Sequence, residues 1–351
     1  MGNGICGSKT CLEEKDNNTE IFEYKNIEPN NLYNYDSFEK KGHLEKQSLI
    51  AISTYGRVLK VMIKETKEMY ALKEGRLDLP QHVKTFVIEQ DILQKCHHPN
   101  IVSIKDAFKD RSINSFIIVE EYAKGGTLRQ QINEKKNIEE NTLISWLTQI
   151  CLALSYLHKK KIIHRDIKPD NIFLTGTQLI KIGDFGLSKE YKSLKKKKTI
   201  KIGTMKYMAP EINSGKYDEK VDIYSLGKTF NEFLELDKKY SKELVNLVNS
   251  FMEEDPAKRP SSDQILNSPI IKEGMKRFLK ENNYENSLAK LIINKIKINN
   301  NNEKDDIFIK NIKNIRERLL HDKHYDYIEQ EDSKDLDIIM CIINKKLNDI
   351  I

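Results

Sequence analysis

The sequence predicts an α+β protein of two lobes: a small antiparallel β-sheet lobe with one helix, and a larger lobe that is mainly helical. Two observations support this prediction. Short β-like runs surround a single helical pattern at Val83–Lys95. After Gly125 and Gly126 the apolar residues change to helical periodicity. The predicted strands are Leu49–Ser53, Arg57–Ile63, Glu68–Lys73 and Ser115–Glu121.

The clearest predicted helix of the larger lobe is Thr142–Lys159. Its apolar residues recur at spacings of three and four and form one stripe. The stripe consists of Leu143, Leu147, Ile150, Leu154 and Leu157. Asn141 or Thr142 is suited to cap the first turn. Trp146, the only tryptophan, falls within this helix and is expected to pack in the core.

The chain divides into three segments by composition. Residues 1–42 are polar and Asn-rich and are predicted to be a flexible extension, whereas residues 43–272 hold the two-lobed domain. Residues 273–351 are charged and rich in Asn, Lys and Ile, which favours a helical tail. Its candidate helices are Ser287–Ile298, Ile307–Leu320 and Leu336–Ile351.

Composition excludes several classes of protein. With 38% hydrophobic and 32% charged residues, the 351-residue chain is neither collagen-like nor wholly disordered. No apolar run is long enough for a membrane helix, and no secretory signal is visible. The net charge of +6 is mild, so no nucleic-acid partner is expected. The five scattered cysteines favour a reducing compartment, and we expect a cytoplasmic protein.

Three short motifs carry the chemistry. HRDIKPDN stands at residues 164–171, DFG at 184–186 and APE at 209–211. Any one of them can arise by chance, but their order and intervals resemble the signature of the eukaryotic protein-kinase family. The HRDxKPxN form resembles the Ser/Thr branch, and the surrounding residues are most similar to NIMA-related kinases. The resemblance therefore implies a two-lobed kinase fold that transfers the ATP γ-phosphate to Ser/Thr hydroxyls of protein substrates.

The family resemblance assigns roles to the catalytic loop. Asp166 matches the base that accepts or orients the substrate hydroxyl, and Lys168 matches the lysine that touches the transferred phosphate. Asn171 and Asp184 match the ligands of Mg²⁺, which prefers hard oxygen donors.

The nucleotide site is assigned in the same way. Lys73, in a sequence similar to VAIK, matches the lysine that grips the ATP α/β-phosphates, and Glu89 matches its ion-pair partner. The other positions that the resemblance places around ATP lie on the glycine-rich segment, the following strand and the hinge. They are Ala51, Ser53, Gly56, Val58, Ala71, Glu120, Glu121, Tyr122 and Ala123.

Two departures from the family pattern leave an alternative open. The first two loop glycines are replaced by Ala51 and Ser53, which predicts weaker closure over the phosphates. Glu120 occupies the gatekeeper position, where a buried unpaired carboxylate is costly. Either Glu120 finds a partner, which we expect to be Lys73 in an inactive state, or it points partly to solvent. Both departures would suit a pseudokinase that acts as an interaction scaffold.

Further positions match residues that support the site or the fold. Thr199 follows the basic run 195–198 and is a candidate phosphosite that would pair with Arg165; the alternative is a solvated charge run. Thr204 matches the family Thr that bonds to the catalytic Asp and Lys. Outside the site, Asp222 matches the acid that braces the catalytic loop, and Glu211 with Arg259 matches a buried ion pair of the larger lobe.

The two ends of the chain carry expectations of their own. Gly2 stands in a near-match to the N-myristoylation pattern, with Cys6 where Ser or Thr is wanted, and Cys6 or Cys11 could be S-palmitoylated. Attachment at the cytoplasmic face of a membrane and a bland cytosolic tail are the two alternatives. The C-terminal tail contains no EF-hand loop, but its amphipathic pieces suit a regulatory partner.

Overall fold

The computed structural model describes residues 44–53, 56–111, 113–176, 179–190, 204–236 and 239–274. The predicted N-terminal extension with Gly2, Cys6 and Cys11 lies outside these residues. So do Thr199 and the basic run before it, and the three predicted tail helices.

The small lobe is an antiparallel sheet with one helix, as predicted, and the sheet has five strands. The strands follow the spatial order β1-β2-β3-β5-β4. Their bounds are β1 Leu44–Ser53, β2 Gly56–Ile63, β3 Met69–Arg76, β4 Ile104–Asp110 and β5 Ser115–Glu121, with helix α1 at Pro80–Lys95. Residues of α1 pack on β4 and β5 through a cluster that includes Phe86 and Phe116.

Strands β4 and β1 differ most from the prediction. Strand β4 was not predicted, because Lys105, Asp106 and Lys109 interrupt the apolar pattern; β5 pairs with it along its length. Strand β1 begins five residues earlier than predicted. Register shifts within β1 break its alternation, so its first half does not show the period of two.

The larger lobe is mainly helical, which confirms the predicted fold class. Its helices are α2 Leu128–Asn133, α3 Glu140–Lys159, α4 Lys220–Leu236, α5 Lys242–Phe251 and α6 Ser262–Leu266. Five short strands complete it: β6 Gly126–Thr127, β7 Ile162–Ile163, β8 Ile172–Leu174, β9 Ile180–Ile182 and β10 Lys189–Glu190. Strands β6, β8 and β9 form one small sheet and β7 pairs with β10.

The predicted helix cap was wrong. Helix α3 begins at Glu140, so Asn141 and Thr142 lie inside its first turn, and Glu139 at the cap position makes no side-chain capping bond. The predicted apolar stripe of α3 is buried in the main core of the large lobe. Trp146 is buried there as expected, with its ring 5.9 Å from that of Phe233.

Hydrophobic clusters hold each lobe together, and the largest one also joins the two lobes. The helices of the large lobe share this cluster with Phe185, with strands β8 and β9, and with Ile92 and Leu93 of helix α1 in the small lobe. The two faces of the small sheet have clusters of their own. Among the described residues, no helix is long and apolar enough to span a membrane.

Candidate active site

Strand register brings four predicted nucleotide-site residues together. Across β2 and β3, Val58 pairs with Lys73. Across β3 and β5, Ala71 pairs with Glu120. Residues two apart on a strand face the same side of a sheet, so Ala71 and Lys73 share a face. The sheet thus gathers these positions on the side of the small lobe from which Lys73 reaches helix α1.

Lys73 and Glu89 form the predicted ion pair between β3 and α1. The Lys73 ammonium bonds to Glu89 Oε1, and the Glu89 side chain is only 3% exposed. The same oxygen accepts a hydrogen bond of 3.1 Å from the backbone N–H of Phe185. Burial raises the pKa of Glu89, and the neighbouring Lys73 ammonium opposes that shift. Glu89 therefore links Lys73 to the segment that carries Asp184.

Glu120 is the second partner of Lys73. Its Oε2 lies 3.2 Å from the Lys73 ammonium, and its side chain is 5% exposed. The expectation that Glu120 points partly to solvent is wrong. The expected partner is confirmed, but Glu120 does not replace Glu89: both carboxylates contact Lys73 in the same structure. Within the part of the chain that the structure describes, Glu120 Oε1 is buried without a hydrogen-bond partner.

The carboxylate of Asp166 is held by three side chains. Lys168 lies 2.6 Å from Oδ2 and also donates to the Thr204 hydroxyl at 2.9 Å. The Asn171 amide donates to Oδ2 and to the backbone carbonyl of Asp166, each at 2.9 Å. The backbone N–H and hydroxyl of Thr204 both donate to Oδ1 at 3.2 Å. These bonds fix the orientation of a group suited to accept a hydroxyl proton.

Asp222 on helix α4 braces the catalytic loop, as predicted. Its Oδ1 accepts from the backbone N–H of Arg165 at 2.8 Å and its Oδ2 from that of His164 at 2.9 Å. His158, which sequence reasoning missed, contacts the same Oδ2 at 2.9 Å. Burial opposes the charge on Asp222, but these hydrogen bonds outweigh it and lower its pKa.

Two residues of the site have backbone conformations that are rare for their type. Arg165 has φ 67° and Asp184 has φ 63°. Non-glycine residues in this left-handed region are uncommon and are held there by surrounding contacts. For Arg165 those contacts include the carbonyl of Leu187 at 2.7 Å and the hydroxyl of Tyr217 at 3.1 Å.

Asn171 and Asp184 supply a donor set that suits Mg²⁺. The Asn171 nitrogen is engaged by Asp166, which turns its amide oxygen to the other side. That oxygen and the Asp184 carboxylate are the hard ligands Mg²⁺ prefers. No cluster of three or more His, Cys, Asp or Glu suited to a metal occurs in the described ranges. An ion held here therefore needs further oxygens from phosphate or water.

Gly56 is the one family glycine retained in the loop, and its geometry requires glycine. Its φ is 146°, and a Cβ built there would lie 1.9 Å from the Glu74 carbonyl oxygen. Ala51 is exposed and pairs with Val58 across β1 and β2, while Ser53 pairs with Gly56 at the end of the hairpin. The two replacements therefore stand in regular strand positions.

The predicted hinge follows strand β5. Glu121 Oε2 lies 3.0 Å from the ammonium of Lys181 on β9 and accepts from the Ser103 hydroxyl at 3.1 Å. Tyr122 and Ala123 are half-buried, and the Lys60 ammonium lies 5.0 Å from the Tyr122 ring centroid. Sequence reasoning placed Glu121 in the hinge but did not identify Lys181 as its partner.

Two ion-pair groups support the large lobe. Arg259, fully buried, makes the predicted pair with Glu211, with nitrogen–oxygen distances of 2.6 and 3.0 Å. The second group was not predicted: Glu232 on α4 lies 2.9 Å from Arg129 on α2 and 2.8 Å from Lys206. Its signal in the sequence is weak, because Arg129 and Glu232 are far apart in the chain.

Comparison with known proteins agrees with this geometry. A family model described as a protein kinase domain matches residues 44–238. This leaves the predicted domain bounds at 43 and 272 as predictions.

Several similar proteins are NIMA-related kinases. Serine/threonine-protein kinase Nek3 of Mus musculus is 33% identical over 245 residues, which are 62% of this chain and 47% of that protein. Serine/threonine-protein kinase Nek9 of Xenopus laevis is 37% identical over 209 residues, covering 51% of this chain and 22% of that protein. Serine/threonine-protein kinase nekl-2 of Caenorhabditis elegans is 33% identical over 218 residues, 52% of this chain and 60% of that protein. The chain thus spans less than half the length of the mouse and frog relatives.

Proposed function

Because the chain belongs to the protein kinase family, we propose that it transfers the γ-phosphoryl group of ATP to Ser or Thr hydroxyls of proteins. Its similarity to NIMA-related Ser/Thr kinases supports the choice of acceptor. The acceptor oxygen forms a bond to the γ-phosphorus while the bond from that phosphorus to the β-phosphate oxygen breaks. The hydroxyl proton passes to Asp166, and ADP leaves.

The residues around Asp166 suit this step. Asp166 accepts four hydrogen bonds from Asn171, Thr204 and Lys168, which hold its carboxylate in one orientation. Lys168, close to the base, is placed to neutralise charge on the transferred phosphoryl group. Lys73 would bind the α- and β-phosphates. Asn171 and Asp184 would hold Mg²⁺, which neutralises phosphate charge when bound.

The observation that carries the proposal is the closed pair between Lys73 and Glu89, present together with the ordered Asp166 loop. In protein kinases this lysine–glutamate pair and the DFG aspartate must both be in place for transfer. Here the pair is linked to the DFG segment directly, by the bond from Phe185 to Glu89.

A pseudokinase that serves as a scaffold is the second candidate. It is favoured by the contact of Glu120 with Lys73 and by the loop residues Ala51 and Ser53. A scaffold has no chemical need to keep Lys73 and Asp166 in working arrangement, so we prefer the active kinase.

Mg-ATP phosphotransfer to a generic basic protein tests the two candidates. We expect the full chain to transfer phosphate and Asp184→Ala to lose at least ~100-fold in rate, because a metal ligand is removed. A correctly folded wild-type chain with no more transfer than the variant would contradict the active kinase. Nucleotide binding without transfer would then favour the scaffold.

We also propose that the chain is cytoplasmic and lipid-anchored through Gly2, with Cys6 or Cys11 as a second acylation site. The support is the near-match to the myristoylation pattern in the sequence. A second acylation site is needed because one myristoyl chain holds a protein on a membrane only marginally. Gly2→Ala should move the protein from the membrane to the soluble fraction of cells. A variant that stays on membranes would contradict myristoylation.

The C-terminal tail is proposed to bind a regulatory partner through its amphipathic pieces.

A further inference from the structure

The Lys73 ammonium lies between two carboxylates that come from different elements. Glu89 reaches it from helix α1, and Glu120 reaches it from strand β5 at 3.2 Å. The pairing of Ala71 with Glu120 places Glu120 beside β3, two residues before Lys73. Lys73, which is expected to bind phosphate, therefore contacts two carboxylates in the protein without nucleotide.

The local charge is unbalanced. Glu89, Glu120 and Asp184 all act on the single positive charge of Lys73. Glu89 and Glu120 are both nearly inaccessible to water, so solvent screens them weakly. Glu120 Oε1 has no hydrogen-bond partner among the described residues. The protein therefore offsets the cost of burying only one of the two carboxylate oxygens, Oε2, which contacts Lys73. Burial raises the pKa of Glu120, and Lys73 opposes that shift.

We propose that Glu120 competes with the phosphates of the nucleotide for Lys73 and thereby sets how tightly the kinase holds ATP. The proposal rests on the function proposed above and concerns the same site. Glu120 is a positioning residue: it acts on the nucleotide through Lys73. To bind ATP, the phosphate oxygens must displace Glu120 from Lys73 or share the ammonium with it, and they approach a surplus of negative charge.

This competition should weaken the binding of ATP, which carries phosphates, and leave the binding of adenosine unchanged. Adenosine carries no charge and needs no contact with Lys73, so removing the Glu120 charge should not change its binding. ATP without Mg²⁺ carries more negative charge than Mg-ATP, so its affinity should gain more. The ratio of ATP affinity to adenosine affinity therefore separates a charge effect from a change in the shape of the pocket.

The test compares the full chain with Glu120→Gln, which keeps the side-chain shape. Binding of adenosine, Mg-ATP and Mg-free ATP is measured by calorimetry, and the Michaelis constant for ATP is measured separately from the turnover number. We expect Mg-ATP to bind about tenfold more tightly to the variant, a change of roughly one charge interaction, and adenosine to bind equally. The Michaelis constant should fall while turnover changes less.

A second Glu120 variant and a control variant at Glu74 complete the comparison. Glu120→Met removes the charge with a different shape and should raise the ATP-to-adenosine ratio in the same direction. Glu74→Gln removes another carboxylate of β3, one that pairs with Arg57, and should leave the ratio unchanged. Thermal unfolding identifies any variant that does not fold, and the other Glu120 variant then carries the comparison.

Three results would overturn this proposal and leave the proposed kinase function in place. ATP and adenosine affinities that both stay the same in Glu120→Gln would show that Glu120 does not compete for Lys73. Equal changes for adenosine and ATP would assign Glu120 to the shape of the pocket. Weaker ATP binding would show that Glu120 helps Lys73 to hold phosphate. A wild-type chain that binds neither ligand would instead remove the proposed kinase function, and this proposal with it.

Discussion

At the scale of single residues, Glu232 on helix α4 connects helix α2 with the segment that follows Thr204. Its carboxylate accepts bonds from Arg129, Lys206 and the Tyr207 hydroxyl. Tyr207 follows Thr204 by three residues and donates its backbone N–H to the Thr204 carbonyl at 2.9 Å. Glu232 therefore ties helices α2 and α4 to the segment whose Thr204 orients Asp166.

The charge of Glu232 should make stability depend on pH. Burial opposes its ionisation, but the bonds from Arg129, Lys206 and Tyr207 outweigh burial and lower its pKa from 4.5 to about 2. A carboxylate whose pKa is lower in the folded state stabilises the fold above its unfolded pKa. That contribution is lost as the pH falls from about 4.5 towards 2.

Glu232→Gln should therefore destabilise the protein at about pH 7 and differ less from wild type at about pH 3. The measurement is the free energy of unfolding in urea at several pH values. Glu235→Gln, at an exposed position of the same helix where the carboxylate accepts a hydrogen bond of 2.6 Å from Asn231, is the matched control and should unfold like wild type at each pH. A constant difference between Glu232→Gln and wild type would disprove the electrostatic origin.

Residue identities in the site could be predicted from the sequence, but their partners only in part. Lys73 and Glu89 were paired through the resemblance to the kinase family, and Glu120 was matched with Lys73 because a buried carboxylate needs a partner. Contact of Lys73 with both acids at once was not foreseen, since it depends on where α1 packs against the sheet. The pair of Lys181 with Glu121 was missed for the same reason: it joins elements distant in sequence.

At the scale of elements, regular patterns were readable and interrupted ones were not. Helix α3 shows an unbroken apolar stripe, and its core role was predicted correctly. In β4 the buried residues Ala107 and Phe108 are adjacent, so alternation is absent. Pairing with β5, and not the local sequence, determines that strand. The helix start at Glu140 was also missed, because no side chain caps it.

At the scale of the whole molecule, strand β9 joins the two lobes. The Ile182 backbone accepts from Val102 at 2.9 Å and donates to Asn100 at 2.8 Å, in the segment between α1 and β4. On the same strand, Lys181 contacts Glu121 at the end of β5. The Lys181 side chain is 6% exposed and that of Glu121 is 11% exposed. A largely buried ion pair between Lys181 and Glu121 therefore connects strand β9 to the hinge.

Breaking this pair should cost stability because it removes the cation that faces the largely buried carboxylate of Glu121. Lys181→Met is expected to lower the free energy of unfolding by about 3–5 kcal/mol. The double variant Lys181→Met with Glu121→Gln removes the charge left behind and should regain part of that loss. The measurement is unfolding in urea followed by the fluorescence of Trp146, the only tryptophan.

An exposed ion pair provides the control for this prediction. Lys159 lies 3.6 Å from Asp263, and both side chains are largely exposed. Lys159→Met should therefore change the free energy of unfolding by less than about 1 kcal/mol. If Lys181→Met behaves like Lys159→Met, the pair behind the hinge contributes no more than a surface contact, and the backbone bonds of Ile182 alone hold β9 to the small lobe. If the double variant is no more stable than Lys181→Met, the loss of unfolding free energy comes from packing of the Lys181 side chain. The negative charge of Glu121 would then not be its cause.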